Sequence, residues 1–400
     1  MFEKNEKKTI YIVDGYGFIF RAFYAVPNLT AKTGEPIGAV FGFFKMIISL
    51  INTEKPDYMV VALDTGKKTF RNRLIEENDA KKIYKEFLQY FSNLNLSFDD
   101  IVELSSTELI DKYNISKETI IRLCDKFNLN PLNPPKDLVL ALMIGVHEEN
   151  IEQTYCKDKY KANRRETPDE LKSQFKIVRE LIDSMNIATE SVVGYEADDV
   201  IATISQEASN RGYNVVVVSA DKDLCQLVKD GKITVFDPSK KILLNEQGVL
   251  DKFGVKPEQV CDYLSIVGDH CDNVFGVNGI GPKGAVKLLT KYHDIENIMF
   301  HLNELDEKTK QKFVDSKDAL ELAQQLISLK YDALTIDNFE KYKLNINSQK
   351  LSEFIEKYGF QSIDKSQRQS NFRQKNKVDN DNNKNDNNNN NEPKKQGSLF

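Results

Sequence analysis

Residues 9–15 read TIYIVDG, a short apolar run closed by Asp14 and Gly15. A run this continuous fits a strand buried on both faces, as in a parallel sheet. Two further stretches repeat the pattern. YMVVALD at 58–64 ends in Asp64, and NVVVVSAD at 214–221 ends in Asp221. A helical segment at about 38–53 separates the first two runs, so strand, helix and strand predict a parallel βαβ unit. Ligands of open parallel sheets collect beyond the carboxyl ends of the strands. The three aspartates are therefore predicted to meet at one sheet edge.

More acids fall near that edge. Glu196, Asp198 and Asp199 lie in GYEADD at the expected start of a helix, with Glu196 and Asp199 three apart on one face. Asp223 follows Asp221 by two, and Asp269 and Asp272 lie three apart in GDHCDN. A single Asp after a strand is ordinarily a turn former, and acids in a first helical turn suit the macrodipole. The set is harder to explain that way. Two unit charges 4 Å apart repel by about 4 kcal/mol at an effective dielectric of 20, a cost that bound cations remove. Acids without His or Cys suit hard cations, Mg²⁺ or Mn²⁺. Two such ions can activate water and stabilise a leaving oxygen in phosphodiester hydrolysis.

Basic residues sit on the same segments. Arg21 follows the first strand by about two helical turns, FRNR at 70–73 contains Arg71, and YKANRR at 160–165 contains Tyr160, Lys161 and Arg164. Arginine holds phosphate bidentately, and a tyrosine face stacks on an unpaired base. The turn at 276–285, with Gly279, Gly281 and Lys283, leads into an amphipathic stretch and reads as a helix–hairpin–helix near 256–292. In such an element, backbone N–H groups at a helix start grip duplex phosphates. The turn follows a helical region and not a strand, which counts against a dinucleotide fingerprint.

The organisation is expected to be discontinuous. Residues 1–75 and 157–360 alternate strands and helices, 76–156 reads as an acidic helical insertion, and 361–400 is an Asn-rich tail expected to be disordered. Thr167-Pro168-Asp169-Glu170 predicts a helix with Thr167 as N-cap, running to about 186, and a strand is expected near 187–193. The five cysteines lack CxxC spacing and read as reduced thiols. No signal peptide or membrane span is visible, so a cytoplasmic monomer is expected. The formal net charge is −6, but residues 76–156 hold 15 acidic and 8 basic side chains, a net of −7 that leaves the remainder near +1. Acidity of the whole chain therefore does not exclude a nucleic-acid partner.

The motifs VDGYGFIFRAFYAV (13–26), GEPIGAVFGFFKMI (34–47), KPDYMVVALD (55–64), KTFR (68–71), YKANR (160–164), GYEADDVIATI (194–204), SADKDLCQLV (219–228) and GDHCDNVFGVNGIGPKGAVKLL (268–289) resemble, in this order, the 5′ nuclease domain of bacterial DNA polymerase I and its flap endonuclease relatives. The resemblance implies an α/β, PIN-like nuclease fold with a mostly parallel sheet, a helical arch and a helix–three-turn–helix clamp. It implies that Asp14, Asp64, Glu196 and Asp198 surround a first metal with Asp199 close by, and that Asp221, Asp223, Asp269 and Asp272 belong to a second. Lys161, Arg164 and Arg21 match phosphate-contacting residues, and the 276–285 turn matches a duplex clamp that can hold K⁺ through its carbonyls. Implied partners are branched or nicked DNA and RNA–DNA junctions, in primer removal and repair.

Several features depart from the family pattern. Tyr16-Gly17-Phe18 and His270-Cys271 stand where small polar residues are usual, and the 76–156 stretch is longer than the family's join. Ser106–Phe127 within it scans as a helix-turn-helix, although its acidic setting favours a spacer or docking domain. No polymerase follows, so a stand-alone nuclease is expected. QGSLF at 396–400 resembles a sliding-clamp-binding motif, with Gln396, Leu399 and Phe400 as its anchors. Rival readings are an RNA-cleaving PIN-type nuclease and a clamp-tethered DNA-binding adaptor without cleavage.

Overall fold

The structure, a computed structural model, describes residues 8–26, 29–75, 78, 160–161, 164 and 166–360. The expected insertion, its helix-turn-helix and the tail with Gln396, Leu399 and Phe400 lie outside the described residues. The described chain divides into two compact units.

The first unit takes residues 1–18, 56–167 and 188–344. Its sheet has six strands: β1 (Thr9–Asp14), β2 (Tyr58–Ala62), β3 (Ala188–Glu190), β4 (Asn214–Val218), β5 (Ile233–Asp237) and β6 (Ile242–Leu244). Their order is β3-β2-β1-β4-β5-β6, parallel except for the antiparallel edge strand β6. The apolar runs occupy the middle, as strands buried on both faces must. All five residues of β2 are buried, and so are residues 10–13 of β1. One apolar core runs from Ile10, Val60 and Val217 in the sheet to Leu289, Phe313 and Leu320 in the helices that follow it.

Those helices explain why the pattern turns helical after residue 256. Val260–Val267, Pro282–Tyr292 and Lys317–Ile327 each bury one face, for example Leu288, Leu289 and Tyr292 of the second. Helix Ala197–Asn210 packs on β1 and β4 through Val200, Ile201 and Ile204. The strand expected at 187–193 is confined to three residues, because only these pair with β2.

The second unit takes the described residues within 19–55, 168–187 and 345–360. It pairs helices Gly38–Glu54, Asp169–Ser184 and Ser348–Tyr358. Phe41 and Phe354 both meet Phe360 edge to face, at 5.3 and 5.6 Å between ring centroids. Helix Gly38–Glu54 has no side-chain cap of its own, and buried Gln174 serves instead, its Oε1 accepting from the Ala39 N–H at 2.8 Å. Helix Asp169–Ser184 starts one residue later than the sequence predicts. Pro168 takes the cap position in place of Thr167, with extended backbone and no side-chain hydrogen bond.

Candidate active site

Each of β1, β2 and β4 ends in a carboxylate at the same edge of the sheet. Asp14 is the last residue of β1, in register with Ala62 of β2. Asp64 and Asp221 follow β2 and β4 by two and three residues. Asp14 Oδ1 accepts from the Gly17 N–H at 2.9 Å and its Oδ2 from the Ser219 hydroxyl at 2.8 Å. Ser219 Oγ in turn accepts from the Asp221 N–H at 3.0 Å, so one buried hydroxyl ties the ends of β1 and β4. Sequence reasoning missed Ser219, whose residue type carries no signal of its own. Asp64 Oδ1 accepts from the Ala197 N–H at 2.8 Å, which docks the start of helix Ala197–Asn210 on the strand end.

Electrostatics show how crowded the edge is. Burial, with the charges of Asp221 and Asp64 adding, pushes the Asp14 carboxyl up to about 6. Asp198 is pushed well above the usual range by burial and by Asp221, Asp14 and Glu196. Asp223 is raised by burial, then by Asp221 and Asp269. Asp221 thus acts on both groups of acids. Glu196 goes the other way: burial would raise it, but Lys161 and Arg71 overcome that and hold it low.

The second group hangs on the loop after helix Val260–Val267. Gly268 has φ +84°, and a Cβ on Gly276 would meet its N at 2.5 Å, so two glycine backbones touch and close the loop. Asp269 and Val274 pair backbone to backbone across it. Asp269 Oδ1 receives Lys222 Nζ at 2.6 Å and the Cys271 N–H at 2.9 Å. Asp272 Oδ1 receives Arg164 Nη2 at 2.6 Å and Nε at 2.9 Å. Its carbonyl accepts from the Lys161 N–H at 2.9 Å, while Lys161 Nζ lies 2.8 Å from Glu196 Oε2. Asp223 donates its N–H to Asp221 Oδ1, and its own Oδ1 is buried with no hydrogen-bond partner among the described residues.

Four of the expected site residues, Asp199, Arg71, Tyr160 and Arg21, are buried or half-buried. Asp199 is not a free ligand. Both its oxygens are held by Arg71, at 2.6 and 2.9 Å, and they also accept from the Lys330 and Glu196 N–H groups. Arg71, expected as a DNA contact, is 2 % exposed, and it also donates to the carbonyls of Leu326 and Ser328. Tyr160 is half-buried against the core with its hydroxyl toward Glu196, which leaves little of its ring for a base. Arg21 belongs to the second unit, and its Nη1 is buried with no hydrogen-bond partner among the described residues.

The turn at 276–285, expected as a duplex clamp, lies in the first unit. Gly279 has φ +76°, and its carbonyl accepts from Lys312 Nζ at 2.7 Å. Gly281 is the extended cap before Pro282, with open space where a Cβ would stand. Lys283 is exposed in the first turn, whose N–H groups no helix can pair internally. Among the described residues, Cys225, Cys261 and Cys271 are free, and no helix is long and apolar enough to cross a membrane.

The acids suit hard divalent cations by donor type, and the unpartnered Asp223 oxygen and raised Asp14 and Asp198 mark charge that a cation would relieve. As placed, however, no three acidic, His or Cys side chains among the described residues converge as a metal site does.

Residues 9–102 and 127–254 match the family described as "5'-3' exonuclease, N-terminal resolvase-like domain", and 255–350 match "5'-3' exonuclease, C-terminal SAM fold". The unmatched 103–126 fall inside the expected insertion. A 5'-3' exonuclease of Aquifex aeolicus is 31 % identical over 373 residues, 92 % of this chain and 99 % of that protein. DNA polymerase I of Bacillus subtilis is 29 % identical over 334 residues, 82 % of this chain and 28 % of the polymerase. The solved structure of T5 5'-exonuclease with bound divalent metal ions (zinc) shares the fold, with a TM-score of 0.50 and 18 % identity over 87 % of this chain and 97 % of that one.

Proposed function

The chain belongs to the 5′–3′ exonuclease family and is a structure-specific 5′ nuclease, and from that premise we propose that it hydrolyses a phosphodiester near a 5′ end or flap junction with Mg²⁺ as cofactor. The observation that supports this reading is the placement of Asp14, Asp64 and Asp221 at the carboxyl ends of adjacent parallel strands. Asp14, Asp64, Glu196 and Asp198 would hold one cation, and Asp221, Asp223, Asp269 and Asp272 another, with Mn²⁺ able to replace Mg²⁺. Bound there, divalent cations supply an activated water and charge for the leaving oxygen.

The chain's own groups do the rest. Lys161 and Arg164 hold the scissile phosphate, the guanidinium bidentately. Ser219 keeps Asp14 and the Asp221 backbone at a fixed separation through its two hydrogen bonds. The turn around Gly279, Gly281 and Lys283 binds downstream duplex by backbone N–H groups and charge. Lys312 Nζ sits on the Gly279 carbonyl, one of the carbonyls of the turn to which the resemblance attaches K⁺. We further propose that Gln396, Leu399 and Phe400 bind a sliding clamp. Deleting 396–400 is expected to abolish clamp capture and leave free flap cleavage unchanged.

The test is a 5′-flap DNA incubated with Mg²⁺ and then with chelator, beside single-stranded RNA, with products mapped to the nucleotide. Cleavage at the junction to 5′-phosphate ends, lost on chelation and in Asp64→Ala and Asp221→Ala, is expected. Cleavage by those variants at the wild-type rate would overturn the site, preference for RNA would favour an RNA-cleaving nuclease, and binding without cleavage would favour an adaptor.

A further inference from the structure

Lys222 has no role in the chemistry above, yet its ammonium stands inside the acid cluster. It lies between Asp221 and Asp223 in the chain, and its Nζ is 2.6 Å from Asp269 Oδ1. Asp269 is 3 % exposed, while the lysine side chain keeps about a third of its surface in solvent. The pair is therefore desolvated mainly on the acid's side. The other acids of this region are placed differently. Asp272 is paired with Arg164, whose side chain is half exposed, and Asp223 keeps a buried oxygen with no partner. In the neighbouring group, the oxygens of Asp14 accept from a backbone N–H and a hydroxyl, not from a cation.

We propose that Lys222 is a built-in counter-ion that competes with divalent cations for Asp269, so that it sets the affinity of the Asp223–Asp269–Asp272 region and makes it the weaker of the two. This rests on the metal-dependent reading above. A carboxylate oxygen within hydrogen-bond reach of an ammonium can accept a divalent ion only by sharing or losing the lysine, and the two positive charges repel at that distance. In the neighbouring region the corresponding ammonium is Lys161, on Glu196 at 2.8 Å, but the Asp14 oxygens hold no cationic partner, so a first cation can bind Asp14 without displacing an ammonium from it. Lys222 is thus a positioning residue: it holds the Asp269 carboxylate in place through the 2.6 Å contact, and it yields when the ion arrives.

The experiment is calorimetric titration of the full chain with Mn²⁺ in the absence of DNA, which reads binding independently of turnover. Wild type is expected to bind in a tighter and a weaker step. Lys222→Met should tighten the weaker step by about tenfold or more, about 1.4 kcal/mol, and leave the tighter step alone, while Lys222→Arg should stay near wild type. Asp269→Asn should lose the weaker step and keep the tighter one, a result that stands even if Lys222→Met does not fold. A weaker step unchanged in Lys222→Met, or intact in Asp269→Asn, overturns the inference. No Mn²⁺ binding by wild type overturns the metal reading itself.

Discussion

At Asp14, burial and function pull in opposite directions. The folded chain holds this carboxyl at about 6, above its ordinary 3.8, mainly through desolvation. A carboxyl raised in this way binds its proton more tightly folded than unfolded, so its contribution to stability falls as pH rises from about 4 through about 6 and then levels off. Two pKa units correspond to a ceiling of about 3 kcal/mol. Urea unfolding in chelator is expected to show this loss, with Asp198 and Asp223 adding in the same direction and depressed Glu196 opposing it. Asp14→Asn should flatten the profile, and added Mg²⁺ should restore stability to wild type above pH 6 only. Arg71 makes the opposite case. Removing one partner of a buried ion pair strands the other, so Arg71→Ala should destabilise by about 3–5 kcal/mol in thermal or urea unfolding. The strand-end aspartates were legible in the sequence because a buried parallel strand is an apolar run, and its first carboxylate marks its end. Arg71 was not. Nothing in FRNR tells an arginine that turns inward to a carboxylate from one that faces solvent, and that choice is made by Asp199, 128 positions away.

At the scale of elements, the glycines of the clamp and acid loop are not equivalent. Gly276 touches the Ile266 and Gly268 backbones, so Gly276→Ala must push the loop that carries Asp269 and Asp272. It should cost stability by about 2 kcal/mol or more and lower flap cleavage. Gly281 has ordinary backbone angles and open space, so Gly281→Ala should change stability by less than about 0.5 kcal/mol. Paired melting curves and cleavage rates check the contrast. The helix–turn–helix character of 256–292 was readable from glycine spacing and the amphipathic run that follows. The shortness of β3 was not, because strand length there is limited by the partner's register.

At the scale of the molecule, the net charge of −6 misleads because charge is unevenly distributed. Binding to flap DNA should weaken linearly in the logarithm of salt concentration, and Lys283→Ala should lower that slope by about one without changing sequence preference. Fluorescence anisotropy at a series of KCl concentrations measures it. The two-unit division could not be read in advance. Residues 19–55 follow a strand that looks like the rest of the α/β pattern, and packing such as that of Phe41 and Phe44 on Phe360 joins them to a segment far along the chain.

The stretch between Arg71 and Lys161 leaves from and returns to the same few carboxylates, the first through Asp199 and the second through Glu196 and Asp272. Both ends are stapled before the intervening chain is counted. Once the anchors are fixed, each doubling of such a loop adds only about 0.6 kcal/mol of closure cost. A nuclease built this way can grow or shed sequence at that position and keep its carboxylates where they are, which makes the join a natural port for appended parts.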